Sequence, residues 1–298
     1  MKNKVVIRAR DGTKLAVTRY IPARSNHTAV VIAPALGCRQ KQYSPLANFL
    51  CREGHVVYTF DYRGVGRSRK AGGDQEEASL YQWASIDLDT VILYAKNQFP
   101  CHELAGVAHG VSGQVVGLAL ASTFFSRLVL VDAALTSWNL AGRSGRARLL
   151  LSCCLLAGRR WIPGVSHFLG KGIPPGVFRE WLSWAKYPNG LFHFYSNNNY
   201  QKLRAPILSA NFAQTPFITP KAVKALLAQF ANAPCADWYF SVSPLTVRNT
   251  RNRRLRDKGF HKALWRALSL WMQGKEAFPD SGKEKWAFLP ESVKSHTG

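Results

Sequence analysis

The constraint that sets the fold class is a series of short runs that are apolar nearly throughout. Ala29-Val-Val-Ile-Ala-Pro34, His55-Val-Val-Tyr-Thr-Phe60 and Leu128-Val-Leu-Val-Asp132 read as strands covered on both faces. Between them the apolar period lengthens to that of helices. Tyr43, Leu46, Ala47 and Leu50 line one helix, closed by Gly54. Leu80, Trp83, Ile86, Leu88, Val91, Ile92 and Tyr94 line a longer one over residues 79–98. Later come a strand within 205–212, a helix Pro220–Phe230, a strand Cys235–Val242 and a last helix around Phe260–Met272. Strands alternating with helices at this spacing imply an α/β fold, with a mostly parallel central sheet and helices on both faces. Ahead of them, residues 4–9 and 14–20 alternate around Asp11-Gly12, a hairpin signal.

The alternation breaks at about residue 136. Residues 136–200 hold Trp138, Trp161, Trp181 and Trp184 and the cluster Gly172-Ile-Pro-Pro-Gly176. They read as a helical, aromatic-rich cap inserted into the sheet domain. The expected organisation is a first core segment over residues 1–135, a cap over 136–200, a second core segment over 201–275 and a polar tail over 276–298. A chain of 298 residues, 47% of them hydrophobic, can fill such a core.

One stretch carries the chemistry. Glu103-Leu-Ala-Gly-Val-Ala-His-Gly-Val-Ser-Gly-Gln114 reads as a buried strand, a very tight turn and a helix, placed at about 114–122. Ala108, Gly110, Ser112 and Gly113 crowd the turn. This is the geometry of a nucleophile elbow, in which a strained strand-to-helix turn lifts one side chain above the sheet.

With Val30-Val-Ile-Ala-Pro-Ala-Leu-Gly37, Phe60-Asp-Tyr-Arg-Gly-Val-Gly-Arg-Ser68 and Pro174-Pro-Gly-Val-Phe-Arg-Glu-Trp181, this stretch resembles the α/β-hydrolases of the serine-aminopeptidase-like branch, over residues 4–272. The resemblance implies a Ser nucleophile, an acid and a His base in that chain order, and backbone donors for an oxyanion. The family's Gly-His-Ser-x-Gly-Gly falls on Ala108, His109, Gly110, Val111, Ser112 and Gly113, so the nucleophile's position holds Gly110. A slip of two residues would offer Ser112 instead. The acid's position falls on Gln214 or Thr215, in a span 213–220 without a carboxylate. The base's position falls among Asn249, Thr250 and Asn252, in a span 243–256 without a histidine; the alternative is His261, in the first turn of the last helix. Ala35 and Leu36 of the loop after the first buried strand, with His109 and Val111, are the expected oxyanion and pocket residues. Gly64-Val-Gly66 is read as a tight turn after Asp61, not as a dinucleotide loop, because position 69 is Arg.

Substitution at all three positions leads to an expectation of a non-catalytic hydrolase relative, binding a small-molecule or acyl ligand under the cap, with no cofactor and no metal. The alternatives are an active serine hydrolase of ester or peptide bonds using Ser112, and a basic protein that binds anionic partners. The last rests on 40 Lys and Arg against 17 Asp and Glu, a formal charge of +23. Most of that charge is scattered. The dense exception runs from Arg248 to Lys258, where Arg251, Arg253 and Arg254 are candidates for holding a weak anionic partner. The chain's start runs straight into a strand and its six cysteines show no metal or redox spacing, so reduced thiols and a cytoplasmic location are expected. The longest apolar run, Leu149 to Ala157, is too short to span a bilayer.

Overall fold

The computed structural model describes residues 1–69, 78–143, 146–147, 172–212, 218–240 and 258–275. Eight strands make one sheet: β1 (Lys2–Arg8), β2 (Lys14–Tyr20), β3 (Thr28–Ala33), β4 (Val56–Phe60), β5 (Glu103–His109), β6 (Arg127–Val131), β7 (Ile207–Phe212) and β8 (Cys235–Phe240). Their order is β1-β2-β4-β3-β5-β6-β7-β8. β2 runs antiparallel to β1 and to β4, and every other neighbouring pair is parallel. The Asp11-Gly12 turn joins β1 to β2 with Arg8 opposite Lys14.

Among the described residues the α-helices are α1 (Ser44–Arg52), α2, α3 (Val111–Val115), α4 (Pro175–Ala185), α5 (Pro220–Leu227) and α6 (Lys258–Met272). α2 is a continuous helix made of Leu80–Gln82, a π-helical stretch Trp83–Leu88 and Asp89–Gln98. The period-2 geometry of a strand divides the core into two layers. Ala29, Val31 and Ala33 of β3 face the layer that holds Trp83, Leu88 and Val91 of α2. Val30 and Ile32 face the other, with Leu46 and Leu50 of α1 and Leu264, Leu268 and Trp271 of α6. Burial on both faces is why these strands lack polar alternation.

Two of the expected helices come out differently. The one over 79–98 carries the π stretch, which brings two side chains onto the same loop. Trp83 Nε1 donates to Arg63 O at 3.2 Å, and Asp87 accepts from Arg63 Nη2, Nε and N at 2.6, 2.9 and 2.9 Å. Wide turns of this kind re-aim side chains locally. The helix expected at 114–122 is instead α3, ending at Val115, followed by 3-10 turns at Val116–Leu118 and Leu120–Phe124. The cause lies far along the chain. Tyr200 donates its hydroxyl to Gln114 O, and Asn199 N–H donates to Gly117 O at 2.7 Å, occupying carbonyls a longer helix would use. Asp89 Oδ1 takes the Ala121 N–H at 2.7 Å.

Residues 172–200 reach across the C-terminal ends of the parallel strands. A Cβ on Gly37, after β3, would lie 3.3 Å from the Ile173 side chain, and one on Gly64, after β4, 2.8 Å from Pro174. Glu180 of α4 accepts the Leu80 N–H at 2.5 Å and the Tyr195 hydroxyl. Tyr81 stacks on Tyr195 with centroids 5.1 Å apart.

The contact between Tyr200 and the turn after α3 leaves no room for a methyl group, since a Cβ on Gly117 would lie 2.4 Å from the Tyr200 ring. Gly117→Ala should therefore lower stability by about 2 kcal/mol or more, as overpacking does. Denaturant titration measures it, and an unchanged midpoint would show that the ring moves aside freely.

Candidate active site

β5 is a central strand, paired with β3 and β6 and ending at His109. Gly110 follows with φ 58° and ψ −120° and is the N-cap of α3. Its N–H donates to Val131 O at 2.8 Å, and its carbonyl accepts from Gln114 N at 3.1 Å. The chain passes from strand to helix at this one residue, in the left-handed φ region that favours glycine. A Cβ here would stand 3.3 Å from Ala35 Cβ, so the turn faces the loop after β3. Val111 is the first residue of α3, and its N–H belongs to the set that a helix leaves without an intrahelical partner.

His109 is buried. Its Nδ1 lies 2.7 Å from the Tyr43 hydroxyl, which also accepts the Ala35 N–H at 2.9 Å. Burial raises the Tyr43 pKa well above its ordinary value, so the phenol keeps its proton. With Ala35 donating to the oxygen, the Tyr43 hydroxyl donates its hydrogen bond to His109 Nδ1, and the imidazole is neutral with its hydrogen on Nε2. Burial pushes the His109 pKa down to about 4, in agreement with the neutral form. A neutral imidazole offers one N–H donor and no charge. Tyr43 therefore ties the β3–α1 loop to the end of β5. The sequence shows Tyr43 only as one residue of an apolar helix face; its hydroxyl leaves no signal in the periodicity.

Ser112 is fully buried inside α3. Its hydroxyl donates to Pro34 O at 2.6 Å and accepts from the Tyr62 hydroxyl at 2.8 Å. Tyr62 in turn stacks on Trp83, with centroids 4.5 Å apart. The serine's one proton is thus held by a backbone carbonyl. Gln114, with its amide nitrogen toward Ala134 O (3.3 Å) and Thr136 Oγ1 (2.9 Å), accepts the Thr136 N–H at 3.0 Å. Cys38, in the loop after β3, has its thiol pKa raised by burial, which keeps it protonated. At the end of β6, Asp132 adopts φ 46°, uncommon for a residue with a Cβ.

The structure thus brings Ala35, His109, Gly110, Val111 and Ser112 into one place at the C-terminal edge of β3 and β5, with Leu36 next to Ala35 in the same loop. Gln214, Thr215, Asn249, Thr250, Asn252, Arg251, Arg253 and Arg254 lie outside the described residues. His261 falls in α6, in a part of which the backbone alone is described. Gly66, in the turn after β4, has φ 52°, and a Cβ there would meet the Asp61 carboxylate at 2.5–2.8 Å. That carboxylate is filled by Gln40 N and Nε2 and by Arg67 N, each at 2.8–3.0 Å. Among the described residues, no group of three His, Cys, Asp or Glu could hold a metal ion.

A sheet in this strand order, with a strand, a one-residue turn and a helix at its centre, is the α/β-hydrolase fold. Within it, residues 24–156 match the family described as serine aminopeptidase, S33. Solved structures agree on the fold. A thermostable carboxyl esterase from Bacillus coagulans, in complex with glycerol, shares 14% identity over 92% of this chain and 98% of its own, with a TM-score of 0.59. A soluble variant of monoglyceride lipase from Saccharomyces cerevisiae, in complex with a substrate analogue, shares 11% over 93% and 97%, with a TM-score of 0.62. A monoacylglycerol lipase from Paleococcus ferrophilus shares 13% over 88% and 99%, with a TM-score of 0.54. No curated protein sequence matches the chain.

The buried histidines make stability depend on pH. His109 and His55 both have folded pKa values lowered by burial to about 4, against an ordinary 6.5. Between those values the unfolded chain binds protons on these histidines that the folded chain refuses, so their contribution to stability falls as pH drops from about 6.5 to about 4, while Asp87, pushed up to about 6 by burial, works in the opposite direction. Each histidine accounts for up to about 3 kcal/mol of the loss. Denaturant midpoints across this range measure the slope, and His109→Gln should flatten it. A slope the same in parent and His109→Gln would contradict the neutral buried imidazole at 109.

Proposed function

We propose that this chain is a non-catalytic α/β-hydrolase that acts by binding a small acyl compound beneath a cap formed by residues 136–200. The observation that carries the reading is the residue at the turn. Gly110 stands where the family resemblance puts a serine nucleophile, and glycine has nothing with which to attack a carbonyl. Ser112, two residues on, is engaged by Pro34 O and Tyr62 rather than by a base. The absence of a carboxylate from 213–220 and of a histidine from 243–256 supports the same reading. What remains near the turn is a set of neutral donors: the His109 imidazole and the backbone N–H of Val111 at the first position of α3. Such donors suit a carbonyl or carboxylate oxygen. The solved relatives with glycerol and with a substrate analogue are the precedent for a small organic ligand. The core would be formed by residues 1–135 and 201–275, with 276–298 a polar tail, in a reducing, cytoplasmic setting.

The decisive measurement is labelling by a fluorophosphonate probe, which marks an activated serine. The unmodified chain should stay unlabelled and should not turn over aryl esters or aminoacyl substrates. Gly110→Ser should also remain inactive, because a hydroxyl without a base keeps its proton. That substitution should cost about 1–3 kcal/mol for a side chain in a strained backbone region. Stoichiometric labelling of the parent that disappears in Ser112→Ala would overturn the proposal in favour of an active hydrolase.

A further inference from the structure

At the opposite end of the sheet from Gly110, two histidines stand side by side. His27 leads into β3 and His102 into β5, and these parallel strands are paired in a register that sets Thr28 opposite Glu103. One position earlier the same register brings His27 next to His102, and the Glu103 N–H donates to His27 O at 2.9 Å. The two ring centroids lie 5.4 Å apart, with the planes tilted by 50°. His27 is exposed and holds φ 62°, a left-handed conformation that a residue with a Cβ seldom adopts. The Phe99 ring lies against His102 with centroids 4.9 Å apart, and Ser25 Oγ is 2.8 Å from His102 Nε2. That oxygen also accepts the His27 backbone N–H at 3.1 Å. Among the described residues, His102 Nδ1 and both ring nitrogens of His27 have no hydrogen-bond partner.

We infer that His27 and His102 form a coordination site for a divalent transition-metal ion of the zinc and copper class, with water completing its shell. Neutral imidazole is a ligand that suits both metals. Two imidazoles bound to one tetrahedral ion at about 2.0–2.1 Å put their ring centres about 5 Å apart. The pair meets that spacing with the strands where they are. A ligating histidine generally donates its other ring N–H to a fixed acceptor, and Ser25 Oγ stands in that place. With the hydrogen on Nε2, His102 Nδ1 keeps its lone pair for the metal. Burial and the neighbouring His27 lower the His102 pKa below its ordinary value, so that ring is neutral at pH 7. The left-handed backbone at His27 is local strain of the kind that gathers at ligand sites. No third His, Cys, Asp or Glu joins the pair among the described residues. Two nitrogen ligands select against Mg²⁺ and Ca²⁺, which take oxygen. An ion here clasps the starts of β3 and β5, roughly 20 Å along the strands from the turn at Gly110. The inference is therefore independent of whether that turn binds or hydrolyses a ligand.

The test is titration of the untagged full chain with Zn²⁺ against a chromophoric chelator, and with Cu²⁺ followed by electron paramagnetic resonance. The parent should take up an ion whose affinity drops about tenfold or more in His27→Asn and in His102→Gln alike. Asparagine accepts the left-handed φ, so the first variant keeps the local backbone, and melting temperatures without metal should stay near the parent's. Ser25→Ala should weaken uptake about tenfold, as removal of a partner behind a ligand does. Cys101→Ser should leave uptake unchanged, and Mg²⁺ should not compete. The Cu²⁺ spectrum of the unmodified chain is a readout that needs no variant, and it should carry coupling from imidazole nitrogen. Uptake equal to the parent's in both histidine variants would overturn the inference. So would uptake that survives in them and disappears in Cys101→Ser, which would assign the ion to a thiol.

Discussion

β5 has to become α3 within one residue, in the middle of a sheet whose neighbouring strands are already paired. Gly110 N–H stays bonded to Val131 O, and Gly110 O already serves the helix. The helix then presses on the sheet so closely that a Cβ on Gly113 would lie 2.5 Å from Ala133 Cβ and 3.0 Å from Ala108 O. Its side chains reach to either side. Ser112 bonds to Pro34 at the end of β3, and Gln114 bonds to the 134–136 segment after β6. The loops that follow β3 and β6 are thus positioned by a helix of five residues. A helix that short is marginal by itself, so its place is fixed by these contacts and not by propensity.

A side chain at such a turn is held under strain, which a hydrolase tolerates because the turn exposes its nucleophile. Glycine meets the same dihedral angles without that penalty. With Gly110 in that place, the turn is made without the strain. The surroundings have not collapsed in consequence. Tyr43 still joins Ala35 to His109, and the imidazole remains polar, neutral and buried.

The sheet was legible in the sequence because its strands are covered on both faces, and a short, continuously apolar run bounded by turn residues seldom arises any other way. The turn at Gly110 was legible because small residues at 108, 110, 112 and 113 admit only a crowded crossing of helix and strand. What was hidden depends on residues distant in the chain. The early end of α3 is decided by Tyr200, 86 positions from Gln114. The π stretch of α2 serves Arg63, 24 positions from Asp87. Tyr43 counts as apolar in any periodicity, yet its hydroxyl organises the site. Hydrogen bonds made by the tip of an otherwise apolar side chain leave no periodic trace, and the fine structure of this site consists of them.

The charge balance is also more lopsided than composition implies. Of the 17 acidic residues, several are engaged in structural hydrogen bonds inside the molecule. Asp61 accepts amide N–H groups from Gln40 and Arg67, Asp89 accepts from Ala121, and Glu180 accepts from Leu80 and Tyr195. Asp87 is fully buried against Arg63, which also pairs with Asp11 at 2.7 Å. A carboxylate that satisfies a backbone amide in the interior does little to lower the potential on the far side of the protein, where water and salt screen it. The exposed surface is therefore more cationic than the net charge alone conveys, and self-repulsion works against the compact state. A counter-charge from outside relieves that repulsion.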